Sequence, residues 1–404
     1  MKKITILTEM YAPEESATAY FLTKIAEGLA QKYHVSVVTG PVINYERVIV
    51  KDLKYELQNN VKIFRCVGSK FSKNNLIGRI VNLVTRSLFI FLKALTLIEK
   101  DQIVIVVTNP PILPFIALML KFIRGGRLSV LIHDVYPDVL VATSIFSWKS
   151  LVVRCWNSLN RLLYFYADDL IVLGRDMSQL ISQKLDQSTN ESKIVTIPNW
   201  SDIDLDKVEP KAKNDLLQQL AIADKFIVLY AGNIGRTHGI ECLLNAIEQL
   251  QDNPSIHFLV IGSGAKKAWL ESQVKLKQLK NINVLSYLKS SAKEIAISAC
   301  DIAIISFVPN MAGVSVPSRM YNQLAVGKPI IAVTEEWSEL ALVIQEEEIG
   351  WISPPNDPAA LIKTIQLASI NRDLCCEMGK KATRAMKNKY SCDLAIEKYI
   401  QLYN

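Results

Sequence analysis

The sequence predicts an α/β protein with two doubly wound domains, each built on a parallel sheet. Its 404 residues exceed one ordinary domain and suit two domains, each with its own core. Short runs rich in β-branched residues recur with helical segments between them, which is the pattern of parallel strands covered by helices. This pattern loosens into a polar stretch after Pro198 and restarts at Phe226. We therefore expect a first domain over residues 1–200 and a second over residues 201–384.

Seven strands are expected in the first domain and five in the second. Those of the first domain span residues 4–7, 35–39, 61–65, 103–107, 128–132, 170–173 and 194–197. Those of the second span residues 226–230, 257–261, 283–285, 302–306 and 330–333. A helix is expected over residues 16–32, because Leu22, Ile25 and Leu29 share one helical face and Ser16 or Thr18 can cap it. Residues 385–404 are expected to form a helix that packs back on the first domain.

The composition is that of a globular protein, with half of the residues hydrophobic and 21% charged. No stretch reaches the roughly 20 apolar residues of a spanning helix, because Lys93 and Lys121 interrupt the two longest candidates. The start of the chain lacks the pattern of an export signal. Seven cysteines without C-x-x-C spacing favour a reducing compartment. We expect a cytoplasmic protein.

Basic residues concentrate in the first half of the chain. Residues 1–200 hold 24 Lys and Arg against 16 Asp and Glu, whereas residues 201–404 hold 22 against 23. Two acid-free stretches, 57–98 and 139–167, mix basic residues with Leu, Ile, Phe and Trp. Basic amphipathic helices of this kind suit an anionic membrane surface, although solvated helix faces are the alternative. We expect peripheral membrane attachment through the first domain and, without a recognisable binding module, no nucleic acid partner.

Two glycine-bearing turns follow successive predicted strands of the second domain. In open α/β sheets ligands bind beyond the carboxyl ends of the strands, and two such domains on one linker leave a cleft there. Glycine lets backbone N–H groups approach an anion, and a following helix N-terminus favours negative charge. The two turns indicate a phosphate site. They are Gly232-Asn233-Ile234-Gly235-Arg236-Thr237-His238-Gly239 and Gly262-Ser263-Gly264-Ala265, the second followed by Lys266 and Lys267.

Further candidates lie at two other strand ends. Ser318 can cap a helix whose first turn holds Arg319, and a cation there opposes the helix dipole unless an anion is near. A salt bridge to an acid is the alternative. His133 and Asp134 close a strand where an acceptor-binding pair would lie, although a lone histidine is more often structural. Asp202-Ile203-Asp204 resembles a D-x-D metal motif but lies in the interdomain stretch, so no metal ligand is assigned.

These residues resemble glycosyltransferase family 4 over nearly the whole chain. The similarity is greatest to the branch that builds O-antigen, capsule or colanic-acid-type polysaccharides on a polyprenyl carrier. The matching segments are Tyr11-Ala12-Pro13-Glu14, His133-Asp134-Val135-Tyr136-Pro137-Asp138, Ile197-Pro198-Asn199-Trp200, Tyr230-Ala231-Gly232-Asn233-Ile234-Gly235, Ile261-Gly262-Ser263-Gly264, Val316-Pro317-Ser318-Arg319 and Ala325-Val326-Gly327-Lys328-Pro329.

The resemblance implies the GT-B architecture, in which two Rossmann-like doubly wound domains face each other across a cleft. It also implies a retaining enzyme without a metal cofactor. A nucleotide sugar, UDP- or GDP-linked, would bind the C-terminal domain, and a polyprenyl-diphosphate-linked saccharide acceptor would bind the N-terminal domain. The sugar transferred would be of hexosyl or N-acetylhexosaminyl type, and the product would belong to a lipopolysaccharide, an O-antigen or a capsule.

The site residues follow from the motifs and from the resemblance together. The catalytic candidates are His133, Asp134 and Arg319. On the acceptor side, Glu15-Ser16-Ala17-Thr18 stand where the family usually has a glycine. The family's Arg and Lys phosphate ligands are replaced by Asn233 and His238, and the second glutamate of its paired signature falls on Asn322, which leaves Glu339 as the ribose candidate. The donor-binding set is Gly232, Asn233, Gly235, Arg236, His238, Gly262, Gly264, Ser318, Arg319, Asn322 and Glu339.

Two other functions use the same features. A GT-B nucleotide-sugar epimerase would use the same cleft without a lipid acceptor, and the basic aromatic helices of the first half argue against it. A non-catalytic nucleotide-sugar-binding subunit of a polysaccharide assembly complex agrees with the missing glutamate pair. The intact Pro317-Ser318-Arg319 turn argues against that alternative.

Overall fold

The computed structural model describes residues 1–42, 55–69, 71, 76–185, 190–201, 203, 210–286 and 293–404. The chain divides into two compact units. The first comprises Met1–Pro137, Ser147–Pro198 and Asp393–Asn404, and the second comprises Asp138–Phe146 and Asn199–Cys392. The chain therefore passes between the units four times, whereas the sequence predicted one boundary near residue 200 and a return at residue 385.

The first unit contains an eight-stranded sheet in the order β3-β4-β2-β1-β5-β6-β7-β8. Its strands are parallel except β3, which pairs antiparallel with β4. The strands are β1 (Lys3–Leu7), β2 (His34–Thr39), β3 (Tyr55–Gln58), β4 (Val61–Arg65), β5 (Ile103–Val107), β6 (Arg127–Ile132), β7 (Asp169–Val172) and β8 (Ile194–Thr196). The helices, numbered along the whole chain, are α1 (Ala17–Leu29), α2 (Leu76–Leu97), α3 (Leu113–Arg124), α5 (Leu151–Tyr166), α6 (Arg175–Lys184) and α15 (Cys392–Leu402).

The second unit contains a six-stranded parallel sheet in the order β11-β10-β9-β12-β13-β14. The strands are β9 (Phe226–Asn233), β10 (Ile256–Ser263), β11 (Ile282–Leu285), β12 (Ile302–Ser306), β13 (Ile330–Val333) and β14 (Gly350–Ser353). The helices are α4 (Asp138–Ala142), α7 (Asp215–Gln219), α8 (Ile240–Gln249), α9 (Lys267–Leu276), α10 (Lys293–Ser298), α11 (Arg319–Ala325), α12 (Glu339–Glu347), α13 (Pro358–Ile370) and α14 (Arg372–Lys389). The prediction of two doubly wound domains is confirmed.

The central strands explain why the sequence predicts these sheets. All five residues of β5, Ile103–Val107, are buried, as are all five of β12, Ile302–Ser306. A parallel strand covered by helices on both faces excludes water from both, so its sequence is a continuous apolar run. Ser16 caps α1 by accepting a hydrogen bond from the Ala19 backbone N–H at 3.2 Å. The helix that follows presents Leu22, Ile25 and Leu29 to the core.

The last helix belongs to the first unit. Lys2 Nζ donates hydrogen bonds to the carbonyl oxygens of Tyr403 at 2.8 Å and Asn404 at 2.7 Å. Tyr33 OH donates to the Ile400 carbonyl at 3.2 Å, and the Arg127 guanidinium carbon lies 5.4 Å from the centroid of the Tyr403 ring. These contacts attach α15 to the start of the chain. The preceding helix, α14, stays with the second unit.

The strand order reverses once in each sheet. In the first unit the reversal falls between β1 and β5, and in the second it falls between β9 and β12. At such a point the loops after the two central strands leave in opposite directions, which opens a crevice at the carboxyl edge of the sheet. The candidate residues of both units lie at or near these edges.

Candidate functional site

The two glycine turns of the second unit pack directly against each other. Gly262 lies so close to the neighbouring turn that a Cβ there would be 1.9 Å from the Gly232 carbonyl oxygen. Gly264 has a φ of 148° and would place a Cβ 2.4 Å from Asn233 Oδ1. The Ile234 N–H donates to the Ser263 carbonyl at 2.8 Å. The structure therefore brings Gly232, Asn233, Gly262 and Gly264 together.

Arg319 lies over the first of these turns. A Cβ on Gly232 would be 3.2 Å from Arg319 Nη1, and the guanidinium carbon lies 5.0 Å from the centroid of the Tyr230 ring. Tyr230 is held in turn by a 2.7 Å hydrogen bond from its hydroxyl to the Asn233 carbonyl. Both Nη atoms of Arg319 are shielded from solvent and make no hydrogen bond of normal geometry among the residues that the structure describes, and the guanidinium interacts with the Tyr230 side chain beneath it. A shielded cation in this state is costly until an anion pairs with it.

His238 lies beside this cation as a neutral imidazole. Its Nδ1 is 2.9 Å from Thr237 Oγ1, and its ring stacks on Phe307 with centroids 5.7 Å apart. Burial, and then the charges of Arg319 and Lys266, hold the pKa of His238 well below its usual value. His238 therefore offers a hydrogen bond at neutral pH and adds no charge of its own.

The end of β12 closes the other side of the turn. Gly239 has a φ of 50°, and a Cβ there would lie 2.9 Å from Ser306 Oγ and 3.0 Å from the Phe307 carbonyl. Ser306 Oγ is buried without a hydrogen-bond partner in the described part of the chain. Gly235 belongs to the same turn, and a Cβ added there would lie 2.7 Å from Asn233 Nδ2. The predicted turn residues thus surround the crevice between β9 and β12.

Arg236 faces a different space. It is exposed and lines a crevice of about 420 Å³ together with Thr143, Glu241, Ala265, Lys266 and Trp269, all in the second unit. Lys266 in this crevice is paired with Glu241 at 2.5 Å. Arg319 is not among the residues that line it. The two arginines proposed together from the sequence therefore do not share one pocket in the structure.

Three other predicted donor residues have their own local roles. Ser318 does not cap α11, which corrects the sequence prediction: its φ of −60° and ψ of −23° are already helical, whereas a capping residue needs an extended backbone. Asn322 Oδ1 accepts a 3.0 Å hydrogen bond from Ser201 Oγ. Glu339 is buried at the first position of α12, after β13. Its assignment to the ribose stays a prediction.

In the first unit, His133 follows β6 at the carboxyl edge of the sheet. Its backbone N–H donates to Thr108 Oγ1 at 3.1 Å, and the same hydroxyl donates to the Asp134 carbonyl at 3.1 Å. Nε2 of His133 is shielded and has no hydrogen-bond partner in the described residues. Burial lowers the pKa of His133 to about 4. The imidazole is therefore neutral at physiological pH.

The acceptor-side residues lie at the start of α1. Glu15 and Ala17 are exposed, Thr18 is buried, and Ser16 is the N-cap of the helix. One turn further on, the Phe21 ring meets the His133 ring edge-on, with centroids 6.4 Å apart. The structure therefore brings the start of α1 and His133 to one region of the first unit.

Some contributing residues had no role predicted from the sequence. Tyr230, under the Arg319 guanidinium, begins one of the segments that resemble the family, and Thr108, behind His133, follows a predicted strand, but neither was assigned to the site. Glu335 accepts backbone hydrogen bonds from Asn310 and, at 3.3 Å, from Ala312, and so holds the loop after β12. These contacts become visible only once the folded chain brings the strand ends together. The D-x-D segment lies outside the described residues at Asp202 and Asp204.

Comparisons with known proteins bear on the family and the fold of the chain. Residues 212–385 match the family described as Glycosyl transferases group 1. The chain is 28% identical over 404 residues to the probable glycosyltransferase WbjE of Pseudomonas aeruginosa, covering 99% of this chain and 97% of that protein. It is 25% identical over 378 residues to the protein described as "Putative colanic acid biosynthesis glycosyl transferase WcaI" of Escherichia coli K12, covering 91% of this chain and 92% of that protein.

A solved structure of similar fold is that of HepE from Anabaena in complex with UDP. Its TM-score is 0.74 at 16% identity, and the match covers 100% of this chain and 99% of that one. At this identity the likeness concerns the fold. Residues 212–385 therefore match the Glycosyl transferases group 1 family, the relatives that resemble the whole chain are described as glycosyltransferases, and the chain has the two-domain GT-B fold.

Proposed function

We propose that this chain is a retaining glycosyltransferase that moves a sugar from a nucleoside diphosphate onto a lipid-linked saccharide during cell-surface polysaccharide synthesis. The donor is a UDP- or GDP-linked hexose or N-acetylhexosamine. The colanic acid role stated for WcaI supports the polysaccharide pathway, and the UDP bound to HepE supports a uridine donor. The protein acts at the cytoplasmic face of the membrane, and the nucleotide sugar is a co-substrate that needs no metal cofactor.

The observation that carries this proposal is the shielded guanidinium of Arg319. Both of its Nη atoms make no hydrogen bond of normal geometry among the described residues, and the group lies over Gly232 at the strand-order reversal. A planar guanidinium can donate two parallel hydrogen bonds to two oxygens of a diphosphate. Glycine turns beside it let backbone N–H groups reach the same anion.

Catalysis then consists mainly of stabilising the leaving diphosphate. As the bond between the sugar and the diphosphate breaks, negative charge grows on the diphosphate, and Arg319 stabilises this charge in a site shielded from water. Each hydrogen bond to a charged group contributes about 1.5–3 kcal/mol. The departing diphosphate accepts the proton of the acceptor hydroxyl on the face from which it leaves, so the new bond forms on that face and the configuration is retained.

The first unit binds the acceptor in this proposal. His133, neutral because burial lowers its pKa to about 4, has Nε2 available for one hydrogen bond from or to an acceptor hydroxyl. Asp134 orients the same acceptor, and the start of α1 at Glu15–Thr18 contributes the neighbouring surface. The acceptor is a saccharide on a polyprenyl diphosphate, and the linkage follows from which hydroxyl these groups select.

The test has two steps on the purified full-length chain. The thermal unfolding midpoint is measured with UDP, GDP and ADP, and one base is expected to stabilise selectively. Nucleoside diphosphate release from the matching nucleotide sugar is then measured with and without a polyprenyl-diphosphate-linked saccharide, and we expect it to depend on the acceptor.

Each other outcome points elsewhere. A free epimerised sugar released without acceptor would identify an epimerase. Nucleotide binding without turnover across a broad acceptor panel would identify a non-catalytic binding subunit. Absence of stabilisation by any nucleotide would contradict the donor site itself.

A further inference from the structure

Three helices of the first unit form one continuous surface, which we call the α2–α3–α5 face. α3 packs beside both of the others. Arg124 Nη2 donates a 2.8 Å hydrogen bond to the Leu95 carbonyl of α2, and the Phe122 ring of α3 meets the Tyr166 ring of α5 with centroids 4.9 Å apart. The outward side chains of the three helices therefore belong to a single patch.

On α2 several polar side chains are buried while many large apolar side chains are exposed. The inward side chains include buried Asn82, Arg86 and Ser87. Arg86 is paired with Glu9 at 2.6 Å, and Asn82 bonds to the Phe71 backbone at 2.9 and 3.0 Å. The outward positions, by contrast, are large and apolar. The exposed ones are Ile77, Ile80, Val84, Leu88, Phe89 and Leu92.

α5 also exposes large apolar side chains, although Val153, Leu163 and Tyr164 are buried on its inward side. Its inward Asn160 is buried and donates a 2.6 Å hydrogen bond to the Tyr136 carbonyl. Its outward apolar side chains reach 75% exposure at Leu151. α3 joins the two with further exposed apolar groups. The exposed residues of these two helices are Met119, Phe122, Ile123, Leu151, Val152, Leu159, Leu162, Phe165 and Tyr166. An apolar patch of this extent on a folded protein marks a contact surface.

The charge of the face identifies the kind of partner. The sequences of α2, α3 and α5 contain no Asp or Glu. Lys149, Arg154 and Arg161 are exposed among the apolar side chains, and the described residues include no ion-pair partner for them. Trp148, 53% exposed, lies beside Lys149, as aromatic residues do at membrane interfaces. Apolar side chains bordered by unpaired cations suit an anionic lipid surface.

Two other occupants fit less well. A second copy of this chain placed face to face would bring cations against cations with no acid to pair them. A membrane span is considered because Ile80–Leu97 within α2 is long and apolar enough on composition alone, with mean hydropathy 1.6. Lys93 interrupts the apolar run, as expected from the sequence, but the helix Leu76–Leu97 continues through it. However, the Arg86–Glu9 ion pair and the packing of α2 on β2 hold it on the sheet.

We propose that the α2–α3–α5 face docks on an anionic phospholipid bilayer, with the three helices lying in the plane of the interface. The apolar side chains enter the boundary between headgroups and acyl chains, and Lys149, Arg154 and Arg161 meet lipid phosphates. The docking itself stands independently of the proposed reaction.

A second step links the face to the acceptor side, and this step rests on the proposed lipid-linked acceptor. Tyr136, three residues after His133, stacks on Trp156 of α5 with centroids 5.9 Å apart and planes inclined by 11°. Its carbonyl accepts the Asn160 hydrogen bond. The docked helix α5 thus contacts the segment that carries His133, so a carrier lipid in the same bilayer presents its headgroup near the proposed acceptor residues.

The experiment is sedimentation of the full-length chain with vesicles of phosphatidylcholine alone and of phosphatidylcholine mixed with phosphatidylglycerol. Strong binding to the mixed vesicles is expected. Arg154→Gln with Arg161→Gln should weaken it roughly 30-fold, since each basic side chain near an anionic surface contributes about a factor of five. Lys380→Gln with Lys387→Gln, exposed cations of α14, form the matched control and should change little.

A second pair of variants tests the apolar contribution. Leu159→Glu with Leu162→Glu should abolish sedimentation with the vesicles. Leu276→Glu with Ile370→Glu is the control and should not, because these residues of the second unit, 74% and 79% exposed, lie outside the face. Selective UDP stabilisation reports folding and the donor site in every variant, so loss of vesicle binding with UDP binding intact isolates the face. Equal binding of both pairs, or a dimer in solution that Leu159→Glu with Leu162→Glu dissociates, would overturn the proposal.

Discussion

Replacing Arg319 by methionine separates the cost of this residue to the fold from its value to the site. Methionine keeps an unbranched side chain of similar length over Gly232 and Tyr230 but removes the charge. Two lost hydrogen bonds to a diphosphate, at about 1.5–3 kcal/mol each, predict a fall of about 10²- to 10⁴-fold in UDP affinity or in kcat/KM. If only one Nη reaches the anion, the expected fall is about 10- to 10²-fold.

The stability of the free protein should respond differently. The substitution relieves a shielded cation, worth about 1–3 kcal/mol, and loses the cation–π contact to Tyr230, worth about 0.5–2 kcal/mol. These opposing changes largely cancel, so the unfolding midpoint without nucleotide should move by no more than about 5 °C. A residue kept only for packing would show the reverse, with a large loss of stability and unchanged nucleotide affinity.

The assay is isothermal titration with UDP together with thermal unfolding, on the wild type, Arg319→Met and Arg372→Met. Arg372 is the matched control because its guanidinium also lies over an aromatic ring of β9, 5.8 Å from the Phe226 centroid, but is exposed. We expect Arg372→Met to bind UDP normally. Unchanged UDP affinity in Arg319→Met, or an equal loss in both variants, would refute the reasoning.

Three further predictions concern pH and backbone packing. His133 has a native pKa of about 4 against 6.5 for the free side chain, so the unfolded chain binds the proton first and stability is lost as pH falls below about 6.5. Between pH 7 and 5 the free energy of unfolding of the wild type should fall by about 2 kcal/mol more than that of His133→Gln. Equal losses in urea titrations of the two proteins would contradict this. Diphosphate binding should raise the depressed pKa of His238, so at mildly acidic pH the wild type should take up more protons on binding UDP than His238→Gln does. Calorimetry in two buffers of different ionisation enthalpy measures this proton uptake, and the ionisation of UDP itself contributes equally to the wild type and the variant. Gly262→Ala, whose Cβ would meet the Gly232 carbonyl oxygen at 1.9 Å, should destabilise the second unit by at least about 2 kcal/mol, whereas Gly235→Ala displaces only side-chain ends of Asn233 and His238 and should largely spare the thermal midpoint.

The strands predicted from the sequence are those with a buried apolar run. β3 was missed because Tyr55–Gln58 is an edge strand with mostly exposed side chains, and β14 because Gly350–Ser353 is short and begins with glycine. Neither has the periodicity or the apolar run that identifies a strand. Residues 138–146 were assigned to the first domain, since membership of a unit depends on distant contacts that local patterns do not encode.

Within the candidate site, the sequence indicates residues whose chemistry conflicts with their local setting. Arg319 was selected because a cation in the first turn of a helix is unfavourable without an anion, and the glycine turns because their backbone must approach something closely. Ser318 was misjudged as a cap because residue type alone does not give backbone angles. Tyr230 and Thr108 could not be selected, since each acts only through a neighbour that the fold brings beside it.

The four passages of the chain between the units bear on how the protein can be made and dissected. A fragment that ends at residue 200 contains every strand of the first sheet yet lacks α15, so the places of fully buried Tyr399 and Tyr403 would be filled by water. During synthesis, the first unit reaches its complete set of contacts only after the whole second unit has left the ribosome. Domain exchange between relatives should therefore transplant α15 together with residues 1–137 and 147–198, and a chimera joined only at residue 198 would begin with a mismatched C-terminal helix.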